Sequence, residues 1–205
     1  MNFRMKPIYQ AAAVALGVAI LAGCGATKLK NVKKDASYDP RSMKRVFVAA
    51  VVKSRRVQKM VEDEFVRQLQ DSGRDAVASY TVVARDAQLQ PEEWKKLIRD
   101  HQCDSVVLTR LTHLDSKEND MEAKVNLPTQ GTGYSYTYYA TSYAAAYTPA
   151  TYVRDETAYL ETKVFDTATE REVWSVQSET ELTWGGDPEP QIRKFVSLLI
   201  REAKR

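Results

Sequence analysis

Apolar residues along the chain fall into a few patterned blocks. The run Val46-Phe47-Val48-Ala49-Ala50-Val51-Val52 has no polar break. A short continuous apolar run predicts a strand covered on both faces. Ser54 follows as a helix cap, and Val57, Met60, Val61, Phe65 and Leu69 recur at helical spacing until Gly73 stops the helix. Glu62, Asp63 and Glu64 read as the solvated face of that helix. Val77 to Val83 reads as a second short strand. Pro91-Glu92-Glu93 opens another helix, with proline near the first position and acids in the first turn. Trp94, Leu97 and Ile98 form its apolar face, and Val106-Val107-Leu108 with Leu111 forms a third strand. The order β-α-β-α-β implies parallel strands joined by right-handed crossovers.

The second half changes period. Residues 157–165 and 173–182 alternate apolar and polar positions around the polar turn Asp166-Thr167-Ala168-Thr169-Glu170-Arg171. This pattern predicts an antiparallel hairpin, in which Glu161 and Glu179 pair with Lys163 and Arg171 across strands. Asp187-Pro188 opens a last helix with the stripe Ile192, Phe195, Val196, Leu199 and Ile200. The expected architecture is an α/β domain over residues 44–205. It comprises β-α-β-α-β, an antiparallel hairpin and a C-terminal helix, with a mixed sheet of about five strands.

The N-terminus carries an address. Arg4 and Lys6 precede an apolar stretch from Ala11 to Ala22, which ends in Leu21-Ala22-Gly23-Cys24. The stretch is shorter than the ~20 residues a permanent transmembrane helix needs. Leu21-Ala22-Gly23-Cys24 resembles the lipobox of bacterial lipoproteins, in which the cysteine thiol is thioether-linked to diacylglycerol and the chain is cut before it. The resemblance implies a signal peptide at 1–23, lipid attachment at Cys24, and a membrane partner reached through that lipid. Gly25 follows the cysteine where aspartate would favour retention at the inner membrane, so the outer membrane is expected, on its periplasmic face. Residues 24–43, with Lys28, Lys30, Lys33 and Lys34 among polar residues, read as a lipidated, solvated tether.

Removing residues 1–23 leaves 28 basic against 27 acidic residues, a formal charge of +1. That balance lacks the basic excess of a nucleic-acid binder, so no nucleic-acid partner is expected. Two cysteines and two histidines are too few for a disulfide scaffold or a His/Cys metal cluster. No metal and no cofactor is expected. Cys103, at the mouth of the third strand, reads as a small buried hydrophobe.

From 125 to 153 the chain has 29 consecutive residues without a charge, and seven of its eleven tyrosines lie there. Tyr134, Tyr136, Tyr138, Tyr139, Tyr143 and Tyr147 cluster in an insertion at 129–152 among Gly, Ala, Ser and Thr. Three readings are open. The segment is a surface insertion too poor in Leu, Ile and Val to build a core. It is a partner-binding surface, where stiff amphipathic rings among small residues suit adaptable recognition. Or it is a membrane hairpin, since two strands of ~9–11 residues fit its length.

The first strand, the Ser54–Gly73 helix, Tyr80-Thr81, Cys103-Asp104-Ser105-Val106-Val107 and the hairpin Leu160–Asp166 with Val173–Thr180 together resemble a group of bacterial lipoproteins. Members of that group carry a Tyr/Gly-rich insertion before the hairpin. The architecture is also similar to the N-terminal domain of the Tol-system propeller protein, the penicillin-binding-protein activator lipoproteins and the curli-secretion pore lipoprotein. In this chain Glu170 stands where the hairpin turn usually has glycine. The resemblance implies a periplasmic binding or assembly module, and fold does not fix function.

No Gly-x-Ser-x-Gly elbow, phosphate loop, dinucleotide glycine fingerprint or His-Glu-x-x-His motif occurs. His113 and Asp115 have no candidate nucleophile beside them in sequence, so His113 reads as a strand-end histidine and no enzyme is expected. Lys53, Arg55 and Arg56 crowd a helix start, where free N–H groups attract anions. They are candidate anion ligands; a solvated cationic patch with a nearby acidic partner is the simpler reading. The expected function is a non-enzymatic, lipid-anchored binding or assembly module. The alternative is a homo-oligomeric secretion or pore-forming lipoprotein that uses the tyrosine segment as a membrane hairpin.

Overall fold

The computed structural model describes residues 27–36, 38–84, 87–115, 157–182 and 187–205. In chain order the elements are β1 (Thr27–Lys34), a 3-10 turn (Pro40–Ser42), β2 (Arg45–Val51), α1 (Arg55–Asp71), β3 (Asp75–Ala78) and α2 (Ser79–Val82). They continue with α3 (Pro91–Asp100), β4 (Ser105–Asp115), β5 (Thr157–Asp166), β6 (Glu172–Glu181) and α4 (Glu189–Ala203). One six-stranded mixed sheet runs β1-β6-β5-β4-β2-β3. β2 is parallel to both β3 and β4, and the remaining pairs are antiparallel.

The sheet separates two cores. On one face α1 and α4 close over Val46, Val48, Ala50, Val164, Trp174 and Val176, contributing Phe65, Leu69, Phe195, Val196 and Leu199. On the other, α3 brings Trp94 and Ile98 against Phe47, Ala49, Val106, Leu108 and Phe165. Phe47 and Trp94 meet edge to face, with centroids 6.4 Å apart. Residues 46–51 are all buried because β2 lies under helices on both sides, as its unbroken apolar run requires.

The helix ends follow from single residues. Ser54 Oγ accepts the Val57 N–H at 3.3 Å and starts α1. At the other end Gly73 adopts φ +80°, so that Arg74 N donates to Leu69 O and Gly73 N donates to Gln70 O. This pair of bonds is a Schellman closure. Gln90 and Glu93 form a capping box that starts α3.

Two expectations are corrected. The sheet has six strands rather than five, because residues 27–34, expected within the tether, pair antiparallel with β6. Their sequence alternates: Leu29 packs on the α1/α4 core while Lys28 and Lys30 lie on the other face. Lysines are what a natural sheet edge carries to discourage further pairing, so a strand here looks like a polar linker. The strand expected over Val77–Val83 ends at Ala78, and Ser79–Val82 turns into α2. The cause is Glu62, described below, which gathers donors from Ser79 and Tyr80.

At the β5–β6 turn, Glu170 adopts φ +57°, the left-handed conformation that explains why glycine suits this position. Its carboxylate pairs with Lys95 of α3, and Asp166 Oδ1 accepts the Thr169 N–H at 2.7 Å. A Cβ at Gly73 would meet nothing within 4 Å, so only backbone conformation opposes a side chain there. Gly73→Ala is therefore expected to cost about 1 kcal/mol, lowering Tm by roughly 2–4 °C in a thermal melt.

Candidate functional site

β2 stops at Val51, which pairs with Arg110, but β4 continues to Asp115. Leu111–Asp115 and their β5 partners therefore run past the end of β2. Burial falls accordingly: 105–110 are buried, 111–114 half-buried and Asp115 exposed. Pairing with β5 holds the last stretch, and side chains reinforce it. His113 Nε2 lies 2.6 Å from Asp115 Oδ1, and Tyr159 Oη donates to Asp115 Oδ2 at 2.8 Å. The His113 and Tyr159 rings lie 5.5 Å apart. The Tyr159 hydrogen bond, then His113, hold the Asp115 carboxyl below its ordinary value.

Thr27 and Thr180 at the same end share a hydroxyl hydrogen bond of 3.1 Å. Lys30 pairs with Glu179 across β1 and β6. Deeper in the ribbon, Arg110 Nε donates to Glu161 at 2.8 Å and Lys163 pairs with Glu172 at 2.9 Å. Glu161 and Glu179 are thus paired as charges, but Glu179 takes Lys30 rather than Arg171, which lies 3.6 Å from Asp35. β4 ends at Asp115 and β5 begins at Thr157, so both junctions of the intervening chain, which contains the tyrosines, lie at this end. Tyr134, Tyr136, Tyr138, Tyr139, Tyr143 and Tyr147 lie outside the described residues, as does Cys24.

The three cations at the α1 start are not equivalent. Arg55 donates to Gln58 Oε1 at 2.8 Å and to Tyr80 O at 3.1 Å, and its guanidinium lies 5.6 Å from the Tyr80 ring centroid. Its donors are committed to the α1–α2 contact. Lys53 and Arg56 are exposed. The Tyr80 hydroxyl donates to Asp63 at 2.6 Å, and that bond first, then burial, pushes its pKa up to about 12. Cys103 is buried in the α3-side core, where burial pushes its thiol up to about 11. A thiol so shifted is a poor nucleophile at neutral pH.

Glu62 overturns its reading as part of a solvated face. It is fully buried. Oε1 accepts from Ala50 N at 2.9 Å, Gln58 Nε2 at 2.9 Å and Ser79 Oγ at 2.8 Å, and Oε2 accepts from Tyr80 N at 3.0 Å. The signal was present in the spacing. Gln58, Glu62, Phe65 and Leu69 repeat at i, i+4, i+7, i+11, so Glu62 belongs to the buried stripe rather than to its acidic neighbours.

Among the described residues no three His, Cys, Asp or Glu side chains converge as a metal site, and no helix is long and apolar enough to cross a membrane. An apolar cleft opens at the opposite end of the fold, walled by Tyr38, Phe65, Leu69, Trp174 and Leu199. No protein-family model matches the chain, and no curated protein matches it. The fold is similar to solved structures at low identity. A single-residue variant of the PelC dodecamer from Paraburkholderia phytofirmans shares 11% identity over 88% of this chain and 98% of that one, with a TM-score of 0.46. Lipoprotein GNA1162 from Neisseria meningitidis shares 11% over 78% and 96%, with a TM-score of 0.41. Protein XCC0632 from Xanthomonas campestris shares 12% over 89% and 91%, with a TM-score of 0.35. Likeness of this degree assigns no ligand, partner or role.

Glu62→Ala leaves two backbone N–H groups and a hydroxyl without an acceptor in the core, and is expected to cost about 3 kcal/mol or more in chemical denaturation. Burial, outweighing the four donors, raises the Glu62 carboxyl above its ordinary 4.5. The native state therefore holds this proton more tightly than the unfolded chain. The resulting stability is full below 4.5 and is lost as pH rises through the raised folded value. The stability difference between wild type and Glu62→Gln should move in favour of the variant as pH rises from about 4 to about 7.

Proposed function

We propose that the chain is a lipid-anchored, non-enzymatic assembly module of the bacterial outer membrane, facing the periplasm, whose tyrosine-rich segment at 129–152 contacts a protein or envelope partner. The observation that carries it is the succession of signals in the N-terminal sequence: Arg4 and Lys6, the apolar stretch, then Leu21-Ala22-Gly23-Cys24. Gly25 supports the outer membrane. The described groups support binding over catalysis. His113 and Asp115 are engaged with each other and with Tyr159, Cys103 is buried, and Glu62 is enclosed by structural donors. β4 and β5 run past β2 with β6 and β1 paired beside them, and recognition loops act best from such a sheet-borne base.

A second reading rests on the alternation of Tyr134, Tyr136 and Tyr138 and on the length of the charge-free stretch. In it, copies assemble into a ring and the segment forms part of a membrane barrel.

Intact mass of membrane-extracted protein should show loss of residues 1–23 and a lipid adduct on Cys24, with Cys24→Ala released from the membrane fraction. Photo-crosslinkers at Tyr136 and Tyr143 should capture an envelope partner in living cells; repeated failure to capture anything removes the partner reading. Light scattering in detergent separates the alternative, because a ring-sized oligomer that collapses on deletion of 129–152 is expected of the pore alone.

A further inference from the structure

The pairing of β1 changes the distance between lipid and domain. Only Gly25 and Ala26 separate Cys24 from Thr27, the first residue of the strand. Three residue steps span at most ~11 Å even when fully extended. Thr27 is itself fixed, opposite Thr180 at the end of β6. The expected twenty-residue tether would have let the domain tumble freely, whereas two residues do not.

Strand directions then decide which end is held. Thr27 pairs with Thr180, Glu181 with Thr157, and Thr157 with Asp115. The start of β1, the end of β6, the start of β5 and the end of β4 therefore form one end of the sheet. The turn at 167–170 lies at the other, about 30 Å away along β6. β2 is parallel to β4, so the exposed Lys53 and Arg56 that follow β2 also point toward the first end.

We propose that the end of the sheet formed by Thr27, Asp115, Thr157 and Thr180–Glu181 rests against the lipid bilayer that holds the Cys24 anchor. This rests on the lipoprotein reading above. The domain stands with its strands running away from the membrane, with both junctions of the 116–156 segment at the bilayer side. Lys53 and Arg56, set back on the same end, face anionic headgroups across water. They add a salt-sensitive attraction to an attachment made by the lipid.

The test uses the full lipidated protein in vesicles of phosphatidylethanolamine and phosphatidylglycerol that carry a headgroup spin label. Cys103 is buried and its thiol stays protonated, so a fluorophore can be placed on E181C or, in a second variant, on T169C. Both positions are exposed, and neither substitution touches a core. Quenching at E181C should be several-fold stronger than at T169C. A Gly/Ser spacer of about 20 residues between Ala26 and Thr27, with an r.m.s. span of ~25 Å, should bring E181C down to the T169C level. Equal quenching at the two sites without the spacer overturns the orientation, provided intact mass shows the lipid on Cys24. Strong E181C quenching that persists with the spacer overturns the short tether as its cause. Absence of the lipid from the intact mass overturns the orientation and the lipoprotein reading together.

Discussion

One buried carboxylate holds the parallel half of this domain in place. Glu62 reaches from the middle of α1 to the Ala50 N–H of β2 and to Ser79 and Tyr80 at the start of α2. One side chain thereby ties three elements together, and the α1–α2 contact is reinforced by Arg55 on the Tyr80 carbonyl and by the Tyr80 hydroxyl on Asp63. A carboxylate without donors would be intolerable at such depth, and these donors without a carboxylate would be costly orphans. The apolar packing of α1 supplies the larger free energy, but it is non-directional. Glu62 supplies direction, and it explains why the chain after β3 turns sharply into α2 instead of extending as a strand.

The parts of the fold that were legible in the sequence are those where one signal dominates. The unbroken run before Ser54, the i, i+3, i+4 stripe of Ile192 to Ile200 and the alternation around Asp166–Arg171 each led to the element found. What escaped was decided by tertiary partners. Residues 27–34 look like a linker because an edge strand carries lysines by design, and only β6, some 150 residues later, gives them something to pair with. Glu62 looked solvated because it lies between Val61 and Asp63-Glu64, and the local acidic cluster masked its place in the buried stripe. The left-handed Glu170 was readable only by noticing the missing glycine.

The candidate site divides in the same way. Cys24 and the tyrosines are conspicuous in composition and spacing. The extension of β4 and β5 past β2 is not, because it depends on β4 outrunning β2 and on the His113–Asp115–Tyr159 contacts. Arg55 shows the opposite case, a residue whose sequence position suggests a ligand but whose donors are occupied by Gln58 and the Tyr80 carbonyl.

The edge strand β1 also sets an order in time. Thr27 and Thr180 lie 153 residues apart, so their pairing closes the longest loop among the strand pairings of the described sheet. Loop-closure entropy delays such contacts until the intervening chain has already compacted. In the proposed lipid-anchored protein, β1 would be the first part of the domain to be exported and the last to be zipped in. The proposed anchor would then have a long leash until the β5–β6 hairpin has formed, and the domain would shorten that leash itself by pairing β1 with β6.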